Sequence, residues 1–178
     1  MRMTDRRGDD VAAFCKRIYP RLVGSLALQC GDPEVAKEVA QEALTRAWQR
    51  WSRVSRYDSP EAWVFRVAIN LSTSRFRRAT REKLAFAKVA ALPRDRAPDP
   101  TDQIAIRAAV SKLPPRQRTA LVLRYFADMP VADVAVAMSC APGTVKSLTA
   151  KALDSLRSRL GTQIEEDAEH DEHPRTPS

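Results

Sequence analysis

The sequence predicts an all-α protein of two small helical domains joined by a Pro-rich linker, the C-terminal domain being a helix-turn-helix. Three observations carry that prediction. Apolar residues recur at spacings of three and four along almost the whole chain, the period of a helix with one buried face. Only five of 178 residues are glycine, too few for a many-turned β-sandwich or a Gly-rich phosphate loop. Residues 93–100 hold Pro93, Pro98 and Pro100 among charges, without periodicity, which marks a linker.

The first helix is expected over residues 11–29. Phe14, Ile18, Leu22 and Leu26 form its core stripe, and Gly31 stops it. Tyr19-Pro20 and Gly24 weaken its middle and allow a kink. Asp32 is an N-cap and Pro33 a first helical residue for the next helix, which is expected to run to about Trp51. Ala36, Ala40, Ala43, Leu44, Ala47, Trp48 and Trp51 make its apolar side. A loop over residues 52–58 follows. Ser59-Pro60-Glu61 then restarts a helix by the same cap logic, with Val64, Val67, Ala68 and Leu71 inward. Helix-forming residues continue to Leu92, so the first domain spans residues 11–92.

The second domain, residues 101–161, holds four helical segments. Thr101 or Asp102 caps the first of them. Pro114-Pro115 ends it and opens a helix to about Phe126, and Met129-Pro130 breaks that one. Val131, Val134, Ala135 and Met138 then lie at i, i+3, i+4 and i+7. Ser139, Cys140 and Ala141 form a turn. Pro142-Gly143 opens a last helix with Val145, Leu148, Ala152, Leu153, Leu156 and Leu160 inward, ended by Gly161. Residues 162–178 form an acidic tail, read as disordered. A second reading makes that tail a screen over the basic surface.

Charge is unevenly spread. The net +8 becomes +13 when the tail, at −5, is set aside. Residues 66–96 alone carry +7, mostly as arginine. A basic body suits a polyanion, because each neutralised phosphate releases counterions. Residues 31–49 run the other way at −2. No stretch approaches the roughly 18 apolar residues of a membrane span. Residues 1–10 are charged and lack the apolar core of a secretory signal. Cys15, Cys30 and Cys140 are far apart, so neither a disulfide framework nor a zinc site is expected, and a reducing cytoplasm is the simpler compartment. No nucleophile–base pair, His-Glu cluster or Walker motif is present. The expectation is a protein without catalytic residues, metal or cofactor.

A short helix, a three-residue turn and a longer helix form a helix-turn-helix, whose second helix enters the major groove. Subtracting the inward positions leaves Thr144, Lys146, Ser147, Ala150 and Lys151 outward, small or basic residues able to approach base edges and phosphates. Two sets of residues then carry a resemblance. The first is Leu113-Pro114-Pro115-Arg116-Gln117-Arg118, Leu123-Arg124-Tyr125-Phe126 and Gly143-Thr144-Val145-Lys146-Ser147. It resembles the promoter-reading C-terminal domain of bacterial sigma factors. The second is the run from Asp32 to Leu44, with Trp63-Val64-Phe65-Arg66-Val67-Ala68-Ile69-Asn70 and Arg75-Phe76-Arg77-Arg78. It resembles their polymerase-binding and minus-ten segments. The order, with no further domain, resembles the small extracytoplasmic-function (ECF) group, over roughly residues 14–160.

The resemblance implies binding to core RNA polymerase and to promoter DNA, as a duplex upstream element and a melted minus-ten strand. It implies polymerase contacts at Asp32, Glu38, Gln41, Glu42 and Thr45. The last four form a polar, net acidic strip at helical spacing, suited to a basic partner helix. Minus-ten contacts are implied at Asp58, Ser59, Trp63, Asn70, Arg75, Arg77 and Arg78. Asn70 offers an amide that can read a base edge, the arginines would grip phosphate, and Trp63 is either a pocket wall or core. Upstream contacts are implied at Arg118 and at the five outward residues of the last helix. Leu148-Thr149 and Lys151 depart from the family pattern and put the preferred upstream sequence in doubt. The resemblance also admits an anti-sigma partner that clamps both domains, and a monomer when free. The rival class is a dimeric operator-binding regulator. It would place a sensor or dimerisation domain before the linker, where residues 14–80 instead hold tryptophans and an arginine-rich helix.

Overall fold

The computed structural model describes residues 3–85 and 101–171, with side chains for 8–75 and 106–159. The described residues are helical, without strands. The helices are α1 (Met3–Cys30), α2 (Pro33–Gln49), α3 (Trp51–Val54), α4 (Pro60–Ala85), α5 (Thr101–Ser111), α6 (Pro115–Leu121), α7 (Val131–Met138) and α8 (Pro142–Asp171). A π-helical turn, Val122–Phe126, extends α6. The linker at 93–100, the expected helix over 86–92 and tail residues 172–178 lie outside the described residues.

The cap chemistry acts as the sequence implies. Gly31 sits at φ +73 and donates its N–H to the Ala27 carbonyl at 2.9 Å, closing α1 in the left-handed conformation that glycine adopts without strain. One residue later the Asp32 carboxylate accepts the N–H groups of Glu34 at 2.9 Å and Val35 at 3.3 Å and starts α2. This tight reversal lays α2 back along α1, and both pack on α4. Pro20 lies within α1 on its exposed side, so α1 runs unbroken past it with its core stripe intact.

Four differences from the sequence reading have local causes. α2 ends at Gln49, and a separate helical turn at 51–54 occupies part of the expected loop, with Val54 as its buried anchor. Trp48 is 53% exposed, because the seven-residue apolar stripe is wider than the contact α2 makes. The helix after Pro115 widens into a π-turn in which Ala127 donates to the Val122 carbonyl at 3.0 Å. The extra residue turns Leu123 and Ala127 into the core and leaves Tyr125 and Phe126 outside. Finally, α8 does not stop at Gly161. It runs through the expected disordered segment to Asp171, since one helical glycine costs only about 1 kcal/mol and Gln163, Glu165, Glu166, Ala168 and Glu169 favour helix.

The two halves are packed together. Leu123, Ala127, Met129, Val134, Ala135, Ala137 and Val145 belong to the same buried cluster as Ile18, Leu22, Val39, Val64, Phe65 and Ala68. α7 lies along α4, and the π-turn, α5 and α6 touch α1. A second cluster, Val110, Leu113, Leu121, Val122 and Ala152, holds α5, α6 and α8 to one another.

Candidate polymerase and nucleic-acid interfaces

α2 buries Ala36, Val39, Ala40, Ala43, Leu44 and Ala47. Glu38, Gln41 and Thr45 are therefore presented outward, and Glu42 is half-buried at the edge of the strip. Glu42 accepts Arg46 Nε at 2.8 Å, and the Thr45 hydroxyl donates to the Gln41 carbonyl at 2.8 Å. Asp32 lies at the start of the strip as the α2 cap. Glu38 accepts Arg75 Nη1 at 2.6 Å, tying the polar strip of α2 to the basic stretch of α4. The side chains of Arg77 and Arg78 lie outside the described ones.

The start of α4 gathers the next group. Ser59 caps α4: its Oγ accepts the Ala62 N–H at 3.2 Å and donates to Asp133 Oδ2 at 2.8 Å. Asp58 beside it is exposed. Trp63 is half-buried, packed against the core, with its ring 6.5 Å from that of Tyr57. Asn70, two turns on, is exposed. Glu61 accepts Arg17 at 3.1 Å and also Arg21, which fixes the loop to α1. An open cleft of about 610 Å³ lies here, lined by Phe14, Trp51, Asp58, Ser59, Glu61 and, from the other half of the chain, Asp133.

The third group is on α8. The turn before it places Ser139 at φ 51, and Cys140 donates to the Ala135 carbonyl at 3.0 Å. Val145 and Ala152 are fully buried, and Thr149 is buried with its hydroxyl on the Val145 carbonyl at 2.8 Å. Helical geometry then puts Thr144, Lys146, Ser147, Ala150 and Lys151 together on the exposed face. Arg118 does not join them. Its guanidinium donates to the carbonyls of Gln29 and Leu113, each at 3.1 Å, and of Ser111. One cation thus caps the C-terminal ends of α1 and α5. Burial pushes it down from its ordinary value, and the Cys30 thiol nearby is pushed up from 9.0, mainly by burial. Sequence reasoning missed Asp133 and Glu61, because partners 74 residues away for Asp133 and 40 and 44 for Glu61 leave no local signal.

The comparisons with known proteins fit this geometry. The family model for Sigma-70 region 2 matches residues 5–82, and that for Sigma-70 region 4 matches residues 103–156. The chain is a member of the sigma-70 family of sigma factors. It is 36% identical over 136 residues to the RNA polymerase sigma-E factor of Streptomyces antibioticus, covering 74% of each chain. It is 31% identical to the ECF sigma factor SigL of Mycobacterium tuberculosis, covering 85% of each. The fold superimposes on the sigma factor RpoE of Bartonella quintana, solved with the anti-sigma factor NepR, with a TM-score of 0.76, 23% identity, and coverage of 85% of this chain and 97% of that one. This sigma factor, of the ECF group, binds core RNA polymerase and directs promoter-specific transcription initiation. Among the described residues no helix is long and apolar enough to cross a membrane, and no group of three metal-ligating side chains occurs.

Proposed function

We propose a division of labour between three surfaces. α2 docks on polymerase through Asp32, Glu38, Gln41, Glu42 and Thr45. The loop and helix holding Asp58, Ser59, Trp63, Asn70, Arg75, Arg77 and Arg78 take the melted minus-ten strand. α8 enters the upstream major groove with Thr144, Lys146, Ser147, Ala150 and Lys151. The linker at 93–100 sets the spacing between the two DNA surfaces. The protein does no chemistry of its own and works in the cytoplasm, as a monomer when free. An anti-sigma factor is its regulatory partner, as in the RpoE–NepR complex that the fold resembles.

The observation that carries this reading is the exposed small-and-basic face of α8, opposite a fully buried Val145 and Ala152. Residues of that kind at a helix start can meet phosphates and base edges without steric conflict. The experiment separates the surfaces. Lys146→Ala and Lys151→Ala should each lower the salt slope of upstream duplex binding by about one and leave core-polymerase binding intact. Gln41→Lys should do the reverse. If both kinds of substitution impaired both activities equally, the assignment would fail.

A further inference from the structure

The chain has three tryptophans, and two of them are used inside the fold. Trp51 rests on Phe14 with ring centroids 4.9 Å apart, and Trp63 lies 6.5 Å from Tyr57; both pack against the buried cluster. Trp48 does neither. It stands 53% exposed near the end of α2, with no ring contact among the described residues. A large ring left in water does little for the free chain, and aromatic side chains of this size are enriched where proteins bind one another.

Its register decides what it faces. Glu38, Gln41, Thr45 and Trp48 stand at i, i+3, i+7 and i+10, and all four are exposed. That three-four-three spacing is the seam along which one helix receives another. The buried residues of α2, Ala36 to Ala47, fix the opposite side. The seam covers about 15 Å of helix. Charge changes along it. Glu34, Glu38 and Glu42 lie toward its start. Arg50 and Arg53 follow Trp48, exposed and without an ion-pair partner among the described residues. Trp48 marks the changeover.

We propose that Trp48 is the apolar anchor of the polymerase interface, at the end of the α2 seam. The occupant is a helix of core RNA polymerase. It is basic where it lies over Glu38 and Glu42, apolar against the indole, and acidic beyond it, opposite Arg50 and Arg53. The acidic strip attracts the partner, and the indole, desolvated at the contact, slows dissociation. A DNA strand does not fit the seam, because its phosphates would meet Glu38 and Glu42. This inference rests on the proposed docking of α2 on polymerase and adds an apolar contact to its polar strip.

The test titrates core RNA polymerase into the N-terminally labelled full chain and its Trp48→Ala, Trp48→Phe and Gln41→Lys variants, read by fluorescence anisotropy. Trp48→Ala should weaken core binding about thirtyfold, the loss typical of a hot-spot aromatic. Trp48→Phe should stay within about threefold of wild type, since a second ring keeps most of the apolar area. Binding to upstream duplex should be the same for wild type and both Trp48 variants. A second measurement uses the unsubstituted chain carrying 5-hydroxytryptophan, excited apart from the polymerase's own tryptophans and quenched by acrylamide. The accessible fraction in the free chain, absent from Trp48→Phe, should become protected when core is added. Wild-type affinity in Trp48→Ala, or a fraction still quenched in the complex, would overturn the proposal. So would a concentration-dependent dimer of the free chain that Trp48→Ala abolishes. If Gln41→Lys binds core as wild type does, the α2 docking surface itself is refuted. If Gln41→Lys fails to bind and Trp48→Ala binds normally, only the anchor is.

Discussion

Arg118→Ala tests how the two halves are held. In the structure one guanidinium serves three carbonyls, those of Gln29, Ser111 and Leu113. These carbonyls end α1 and α5, where helix dipoles favour a cation. A hydrogen bond to a charged group contributes about 1.5–3 kcal/mol when buried. Arg118 is only partly buried, so water replaces some of the loss, and the three together should contribute about 2–4 kcal/mol. For a chain of this size that corresponds to a fall in Tm of roughly 5–15 °C. Urea melts followed by far-UV circular dichroism give the same quantity through the midpoint. Arg118→Lys should recover less than half, because a compact ammonium cannot span two helix ends as a planar fork does. A melting curve for Arg118→Ala within about 0.5 kcal/mol of wild type would show that the guanidinium does not hold these helix ends together.

Two further outcomes follow from local chemistry. Asp32→Ala removes the acceptor for two N–H groups and should cost about 1 kcal/mol in the same urea melts. Because it also starts the helix proposed to face polymerase, core binding by titration should weaken alongside. The Cys30 thiol is held above its ordinary 9.0 mainly by burial. The folded state therefore keeps a proton that the unfolded chain loses, and stability falls as pH rises beyond about 9. Cys30→Ala should flatten that alkaline fall in a pH series of thermal melts and leave the curve near neutrality with the same slope as wild type.

The parts of this fold that were legible in sequence are those decided within one helical turn. Gly31-Asp32-Pro33 names a stop, a cap and a start, and the structure places all three there. The α8 face was legible because Val145 and Ala152 fix which side is buried, and helical geometry does the rest. What stayed hidden depends on long-range packing. Trp48 lies in an apolar stripe but outside its contact. Tyr125 and Phe126 are turned out by a single extra residue in the π-turn. Arg118 was expected among the upstream DNA contacts, and only the approach of α1 turns its guanidinium to the Gln29 carbonyl. Ser59 was legible as a cap but not as a partner of Asp133, because the docking of α7 on α4 joins apolar residues far apart in sequence. The tail's helix to Asp171 was hidden for another reason: its acidic charge suggested solvation, while its composition also favours helix.

This chain makes core RNA polymerase choose promoters. The most direct measurement is run-off transcription on a library of genomic promoter fragments, comparing core enzyme alone with core enzyme plus the purified chain. Discrete transcripts should appear only with the chain, from fragments sharing an upstream and a minus-ten element at fixed spacing. Gln41→Lys should abolish them, and Lys146→Ala should selectively weaken those with the poorest upstream element. Transcripts that were the same with and without the chain would rule out promoter selection by this chain.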